Sequence, residues 1–422
     1  MVVDKMSEIT TYEKTKDSGI EWIGSVPSHW RVHTLYQLVT QVKEKNSNLQ
    51  EKNLLSLSYG KIKRKDIDSP DGLLPASFDG YNIIEDGDIV LRLTDLQNDH
   101  TSLRVGLATE RGIITSAYTT LRPINTSNSK YLYYLLHAFD LKKGFYGMGS
   151  GVRQGLNYAE VKELRVVLPG QDEQNAIVRF LDNQCGQIDS IIEEAKSSIE
   201  EYKKWRASII FEAVTKGLNP LAEMKDSHID WIGLVPSHWK LSRIKNELDN
   251  LDYLREPISA EKRENILGLY DYYGASGVID KIDDYNVDDK VLLIGEDGAN
   301  LRMRNLPLVY KAEGKFWVNN HAHILKVHDD NCYGFIAYLL EAGDYSVFIT
   351  GSAQPKLSQF NLMRFPIVIP PLVEQQEIEA YLDEKCSAID ALIREKKSLL
   401  SELEIYKRSL ILETVTGKRK VV

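Results

Sequence analysis

One fifteen-residue string is written twice. Residues 16–30 read KDSGIEWIGSVPSHW and residues 225–239 read KDSHIDWIGLVPSHW, identical at twelve of fifteen positions. A second doubling follows at another offset. VLPGQDEQNA at 167–176 answers to VIPPLVEQQE at 368–377, and beyond them Leu181, Cys185, Asp189 and Thr215 return as Leu382, Cys386, Asp390 and Thr416. A period near 200 residues is far longer than the 20–50-residue units of solenoids. The chain is therefore a tandem duplication of whole modules, and a fold that suits one copy has to suit the other.

Two stretches read as long helices. Residues 170–219 and 372–422 contain no proline. In the first, Ile188, Ile192, Ala195, Ile199 and Tyr202 recur in alternating steps of four and three, the seam of a coiled coil. In the second, Leu399, Leu403, Tyr406 and Leu410 repeat the pattern among Glu395, Lys396, Lys397 and Glu404. Because both helices descend from one duplicated core, each is the natural partner of the other. About 40 residues of helix would run roughly 60 Å, with Gly186 a point at which the first could divide.

Between the doubled strings and the helices lie two inserts, about 31–168 and 240–369. They carry short β-like runs at 88–93 (DIVLRL), 290–294, 316–319 and 322–327, punctuated by Gly, Asp and Asn turns. Each holds a short apolar helix, at 131–138 and 335–341, and each closes with a capped turn and a strand. Asn157 with Glu160 fits a capping box, and Ser358 stands at the matching position. Apart from these closing elements the inserts barely resemble each other. A repeated frame with divergent inserts is what results when the frame is architecture and the inserts meet different targets.

At 422 residues the chain should split into several domains. No apolar run approaches bilayer length and the N-terminus has no signal pattern, so a cytoplasmic protein is expected. Three widely spaced cysteines argue against a disulfide framework or a zinc knuckle. The formal charge of −9 speaks against a nucleic-acid binder, but a basic groove can coexist with acidic outer faces. Residues 226–371 hold 15 basic and 21 acidic side chains, residues 1–170 hold 21 and 20. If the chain binds DNA, its second half should bind poorly alone.

Catalytic patterns are sparse. YGMGSG at 146–151 follows no long strand and reads as a loop rather than a nucleotide-binding glycine turn. IPPL at 369–372 lacks the flanking residues that an adenine-methylating loop uses to hold a flipped base, and its prolines end a strand and start a helix. His321, His323, His328 and Cys332 are the sharpest metal candidates, yet the last two would sit in a turn with Asp329 and Asp330, which favours histidines with a structural role or facing a partner surface. Glu296 and Asp297 read as a turn, since no nucleophile can be placed beside them.

What remains is recognition chemistry. Arg153, Gln154 and Asn157 in GSGVRQGLN, Tyr272, Tyr273 and Ser276 in YYGASG, Asn300 and Arg302 in GANLR, Asn319, Asn320 and His321 in VNNHAH, and Gln354 and Lys356 in GSAQPKLS set planar hydrogen-bonding groups among glycines. Arginine forks match guanine, and Asn or Gln amides match adenine in a major groove. Lys61 and Arg92 complete the candidate DNA-contact set.

With these residues in hand, the chain resembles the specificity (S) subunits of type I restriction-modification systems. The doubled WIGxVPSHW, the doubled EQ at Glu173, Gln174 and Glu374, Gln375 leading to Ile188, Asp189 and Ile389, Asp390, the TKGL and TGK helix ends, and loops such as RQGLN, YYGASG, GEDGAN and VNNHAH carry the likeness across essentially the whole chain. The resemblance implies an α+β fold: two mixed α/β target recognition domains separated by two long antiparallel coiled-coil helices, a pseudo-two-fold tandem repeat. The expected boundaries are 1–168 and 220–369 for the recognition domains, 169–219 for the central helix and 370–422 for the C-terminal helix. It also implies a non-catalytic subunit, each recognition domain reading half of a bipartite asymmetric site in double-stranded DNA. Two adenine methyltransferase (M) subunits would bring S-adenosylmethionine, and two restriction (R) subunits would bring ATP and Mg chemistry; this chain would bind no cofactor, metal or membrane. Two features depart from the pattern: LPGQD at 168–172 stands where the second copy has IPPLV, and 352–356 lacks the RQG of the first. A coiled-coil scaffold, or the recognition partner of a fused methyltransferase-nuclease, is the competing reading.

Overall fold

A computed structural model of the chain describes residues 10–67, 77–96, 98, 99, 101, 103–148, 155–264, 266 and 268–421. The fold is α+β and repeated in tandem. It divides into two compact units, Met1–Ala195 with Ser398–Val422, and Lys196–Lys397.

The doubled string folds the same way in both. Thr15–Asp17 pairs with Ser25–Pro27, and Met224–Asp226 with Leu234–Pro236. Between the strands the Asp17 carboxylate accepts from the Gly19 amide at 2.9 Å and Asp226 from His228 at 2.8 Å, an Asx turn in each copy. The shared glycines Gly24 and Gly233 sit at φ 71° and 73°, where an L side chain would be strained. The closing tryptophans, Trp30 and Trp239, are buried.

The sequence pair SHW…EQ is a latch. Glu374 accepts from the Trp239 indole at 3.1 Å and meets the His238 ring at 2.8 Å. Glu173 meets His29 at 2.8 Å and accepts from the Tyr12 hydroxyl at 2.6 Å, and the Trp30 indole N–H then has no partner among the described residues. The glutamines beside them, Gln174 and Gln375, donate back to Pro169 and Pro370 carbonyls at 2.8 and 2.9 Å, anchoring each helix start.

Both long helices are continuous, Gln171–Lys216 and Leu372–Val415. Gly186 does not divide the first: it is exposed and lies within the helix. Acidic Asp172, Glu173 and Glu374 occupy the first turns, and Lys216 the last turn of the first helix, as the helix dipole favours. In the first unit Ile188 and Ile192 share a cluster with Leu410 and Ile411, with Leu400, Leu403 and Tyr406 packed against it. Leu399 and Leu400 are both half-buried, and it is Leu400 that packs against this cluster. In the second unit Ile210, Ala213 and Val214 pack with Ile378, Leu382 and Cys386; Ile199 is buried and Tyr202 half-buried. Even the ion pairs repeat. Asp189 meets Lys407 at 2.6 Å in one unit, and their counterparts 201 residues away, Asp390 and Arg206, meet at 3.2 Å in the other.

Each insert is held at a neck where the chain enters and leaves. Arg31–Thr34 pairs antiparallel with Arg165–Leu168, and Lys240–Arg243 with Pro366–Ile369. Above the necks the inserts diverge. The first has a four-stranded sheet, in spatial order Val39–Gln41, Thr119–Pro123, Ile89–Leu91, Val105–Leu107, packed on the helix Ser129–Leu141. The second has a six-stranded sheet ordered Leu248–Asn250, Ala322–Val327, Val287–Gly295, Val309–Val318, Tyr270–Gly274, Gly277–Ile282, packed on the helix Tyr333–Ala342. Among the described residues no helix is long and apolar enough to cross a membrane.

The end of the second long helix returns to the first doubled string. Gly417 stands against Pro27 and Trp30 at φ 70°, as Gly217, at φ 72°, stands against Trp239 and Pro236. The Lys420 amide donates to the Thr10 carbonyl at 2.7 Å, and the Lys418 ammonium reaches the Ser25 carbonyl.

Candidate nucleic-acid interface

In the second unit, four separate loops of the sequence meet. The turn after Val287–Gly295 supplies Glu296, Asp297 and the short helix Asn300–Met303; the other loops are 274–277, 319–321 and 350–356. Backbone bonds sew them together: Glu296 N to His321 O at 2.8 Å, Gly298 N to Pro355 O at 3.0 Å, Leu357 N to Glu296 O at 2.8 Å and Asn319 N to Tyr273 O at 3.1 Å. Ser276, Asn300, Arg302, Asn319, Asn320, His321, Gln354 and Lys356 lie in these loops, and Tyr273 in the strand Tyr270–Gly274 that leads into one of them.

Their side chains divide into two groups. Asn319 is buried and accepts from the His321 amide at 2.8 Å, and Asn300 holds Leu306 and Pro307 through its amide. Tyr272 is buried with its hydroxyl accepting from the Ile258 amide, whereas Tyr273 is half-buried with its ring edge-on to Phe316. These residues build the loops. Ser276, Arg302, Asn320, His321, Gln354 and Lys356 are exposed on them. Arg302 spends one N–H on the Gly351 carbonyl at 3.2 Å, which aims the remaining fork.

Beneath the exposed group lies an ionic bed that no motif in the sequence announces. Arg255, largely buried, reaches Glu296 and Asp252, and donates to the carbonyls of Asn320 and Ala322. His323, fully buried, spans from Asp252 at 2.6 Å to the Leu357 carbonyl at 2.8 Å. Lys356 meets Glu296 at 3.0 Å and His321 meets Asp297 at 2.8 Å. Burial alone would raise the Glu296 and Asp252 carboxyls; bonds from Arg255 and Lys356 to the one, and from His323 to the other, hold both below their ordinary values. Both carboxylates stay charged and fix the loops from below. The only outward sign of Arg255 in the sequence is the acid three residues before it.

The four metal candidates do not converge. His321, His323 and His328 each take their own carboxylate, Asp297, Asp252 and Asp249, and the Cys332 thiol donates to Glu379 at 2.7 Å. No group of three metal-ligating side chains occurs among the described residues.

In the first unit the segment before Asn157 meets the one that carries Arg92: the Leu156 amide donates to the Leu93 carbonyl at 2.9 Å. Asn157 caps Tyr158–Val161, accepting from Ala159 at 2.8 Å while Glu160 accepts from the Asn157 amide at 2.8 Å; in the second unit Ser358 caps Gln359–Met363 by accepting from the Asn361 amide at 3.3 Å. Arg92 lies 3.6 Å from Asp99. Its loop is pinned from within by fully buried Arg104, which donates to the carbonyls of Arg92, Thr94, Asp95 and Asp99. Lys61 opens the strand Lys61–Arg64 and lies 3.9 Å from Asp189. Arg153 and Gln154 lie outside the described residues.

A family model described as the Type I restriction modification DNA specificity domain matches residues 78–201 and again 236–402. A Haemophilus influenzae protein named as a type I restriction enzyme specificity subunit is 33% identical over 146 residues, 34% of this chain and 36% of its own length. A Methanocaldococcus jannaschii protein named as the MjaX specificity subunit is 31% identical over 130 residues, 30% of this chain and 29% of its own. The match therefore spans about a third of each relative. A chain solved in work on complex assembly and conformational transition of the type I R-M system shares the fold, with TM-score 0.66 at 14% identity over 92% of this chain and 98% of that one.

Proposed function

Because this chain belongs to the type I restriction-modification DNA specificity family, we propose that it is the DNA-reading subunit of such an enzyme, each recognition domain binding one half of a bipartite asymmetric site. The observation that carries this reading is the repeated frame with unlike inserts, one of which gathers Arg302, Asn320, His321, Gln354 and Lys356 on a single exposed loop cluster. Such side chains reach base edges, while loops pinned from below keep their geometry when DNA arrives. The chain itself performs no catalysis. Its paired helices set the distance between half-sites and dock two methyltransferase subunits, which supply S-adenosylmethionine; restriction subunits add ATP-driven cleavage, in the cytoplasm.

The test is an exchange at the second neck. Replacing residues 240–369 with the insert of another family member, expressing the chain with its methyltransferase and sequencing the host methylome, should change one half of the methylated motif and spare the other. If both halves change, the two-reader assignment fails. One extra helical turn near Lys196 should lengthen the tolerated gap between the halves; an unchanged gap removes the spacing role.

A further inference from the structure

We propose that the hairpin formed by Leu55–Ser58 and Lys61–Arg64 is a phosphate grip, holding DNA by its backbone without reading its bases. This rests on the DNA-reading function proposed above and extends it to residues outside the recognition loops.

The strand pattern creates the surface. Lys61 and Lys63 alternate with Ile62 and Arg64, and the Lys65 amide continues the ladder to the Leu54 carbonyl at 2.8 Å. Side chains two apart on a strand share a face about 7 Å apart, so Lys61, Lys63 and Lys65 form one exposed row. Ser58 stands opposite Lys61 and Ser56 opposite Lys63. Lysine charges with hydroxyl donors between them suit phosphate oxygens, whereas the core of a protein interface is typically apolar and poor in lysine. The inward side is fixed: Leu57 and Ile62 lie over Gly106, and Gly60 lies against Leu103.

The lysines of the six-stranded sheet, by contrast, are occupied. In the second unit Lys281 and Lys326 pair with Asp271 and Asp289, and Lys290, Lys311 and Lys315 lie over the rings of Tyr333, Tyr338 and Tyr285. On this hairpin, Arg64 is bound to Glu110, and Lys61 has Asp189 only at 3.9 Å. The turn adds a second, independent sign. Tyr59 and Gly60 both have positive φ, 47° and 76°, as in a type I′ turn, whose first position favours Asn, Asp or Gly. A tyrosine instead occupies that strained position and stands 78% exposed, a use of strain common at binding sites. Its hydroxyl is offered at the tip of the lysine row.

The experiment measures affinity against salt for the chain with its co-expressed methyltransferase, on a duplex bearing the motif methylated in the host and on a scrambled duplex. In the variant Lys61→Ala, Lys63→Ala, Lys65→Ala, the slope of log affinity against log salt should flatten by about 0.9 for each phosphate no longer neutralised, about 2.7 for all three. Affinity should fall by the same factor on both duplexes, with the methylated motif unchanged. The triple Lys→Arg variant should restore the parental slope. An unchanged slope in the alanine variant, with the parent still preferring its motif, overturns the grip alone; an altered motif also overturns it, because the row would then read bases. A parent without any preference overturns the DNA-reading function itself.

Discussion

Two buried groups one turn apart on the helix Ser129–Leu141 oppose each other in their response to acid. Burial, with Lys407 and Arg408 nearby, pushes His137 down to about 4, and its Nδ1 has no partner among the described residues. Burial pushes Asp140 up to about 6, despite its bond from the Arg104 amide. Between about pH 4 and 6.5 the unfolded chain binds the His137 proton and the native chain does not, so this residue makes stability rise with pH. For Asp140 the native chain binds the extra proton between about pH 4 and 6, so stability falls across nearly the same window. Each amounts to about 3 kcal/mol at 1.36 kcal/mol per unit, and they nearly cancel. Relative to the parent in urea denaturation from pH 4 to 7, His137→Asn should lose stability as pH rises and Asp140→Asn should gain it; parallel curves would show that neither proton is displaced in the native protein.

Gly186 gives the helices their clearest test. It is exposed inside Gln171–Lys216, and a methyl group there meets nothing within 4 Å. Gly186→Ala should therefore stabilise the protein by about 1 kcal/mol through helix propensity alone, seen as a higher urea midpoint with unchanged slope. A destabilised variant would mean that the glycine serves a bend in solution. The existence and partnership of both helices follow from the step of four and three, because periodicity records which face is buried. Fine detail does not. The choice between Leu399 and Leu400 depends on helix phase across 44 residues, and neither side chain announces its rotation. The loop cluster was legible as strings of Asn, Gln, Arg and Gly, but Arg104 and Arg255 were not. A cation buried against carbonyl oxygens has no period and no motif; only the three-dimensional path of the chain brings those oxygens around it.

Across the molecule as a whole, duplication was the most informative signal, since two copies of one frame constrain each other as an alignment would. It identified the frame residues, while the inserts, differing from one another, offered no such check on sheet order. The frame also predicts where a short deletion hurts. Removing residues 416–422 takes Gly417 away from Pro27 and Trp30 and leaves the matching approach of Gly217 to Trp239 untouched. Exposure of a buried ring costs about 1.5–3 kcal/mol. Hydrogen exchange should accelerate around residues 15–30 of the shortened chain and stay slow around 224–239; equal acceleration in both would mean that the C-terminal segment supports more than its own unit.

The paired strands at each neck also have a genetic consequence. Because Thr34 sits across from Arg165 and Arg243 across from Pro366, the two points where foreign coding sequence would be spliced in are neighbours in the folded protein. A recombination event that trades everything between them leaves the frame intact and delivers a new insert whole. The DNA encoding the doubled strings would offer homology for such exchange. A lineage carrying this gene could then replace one insert whole in one generation, without passing through a misfolded ancestor.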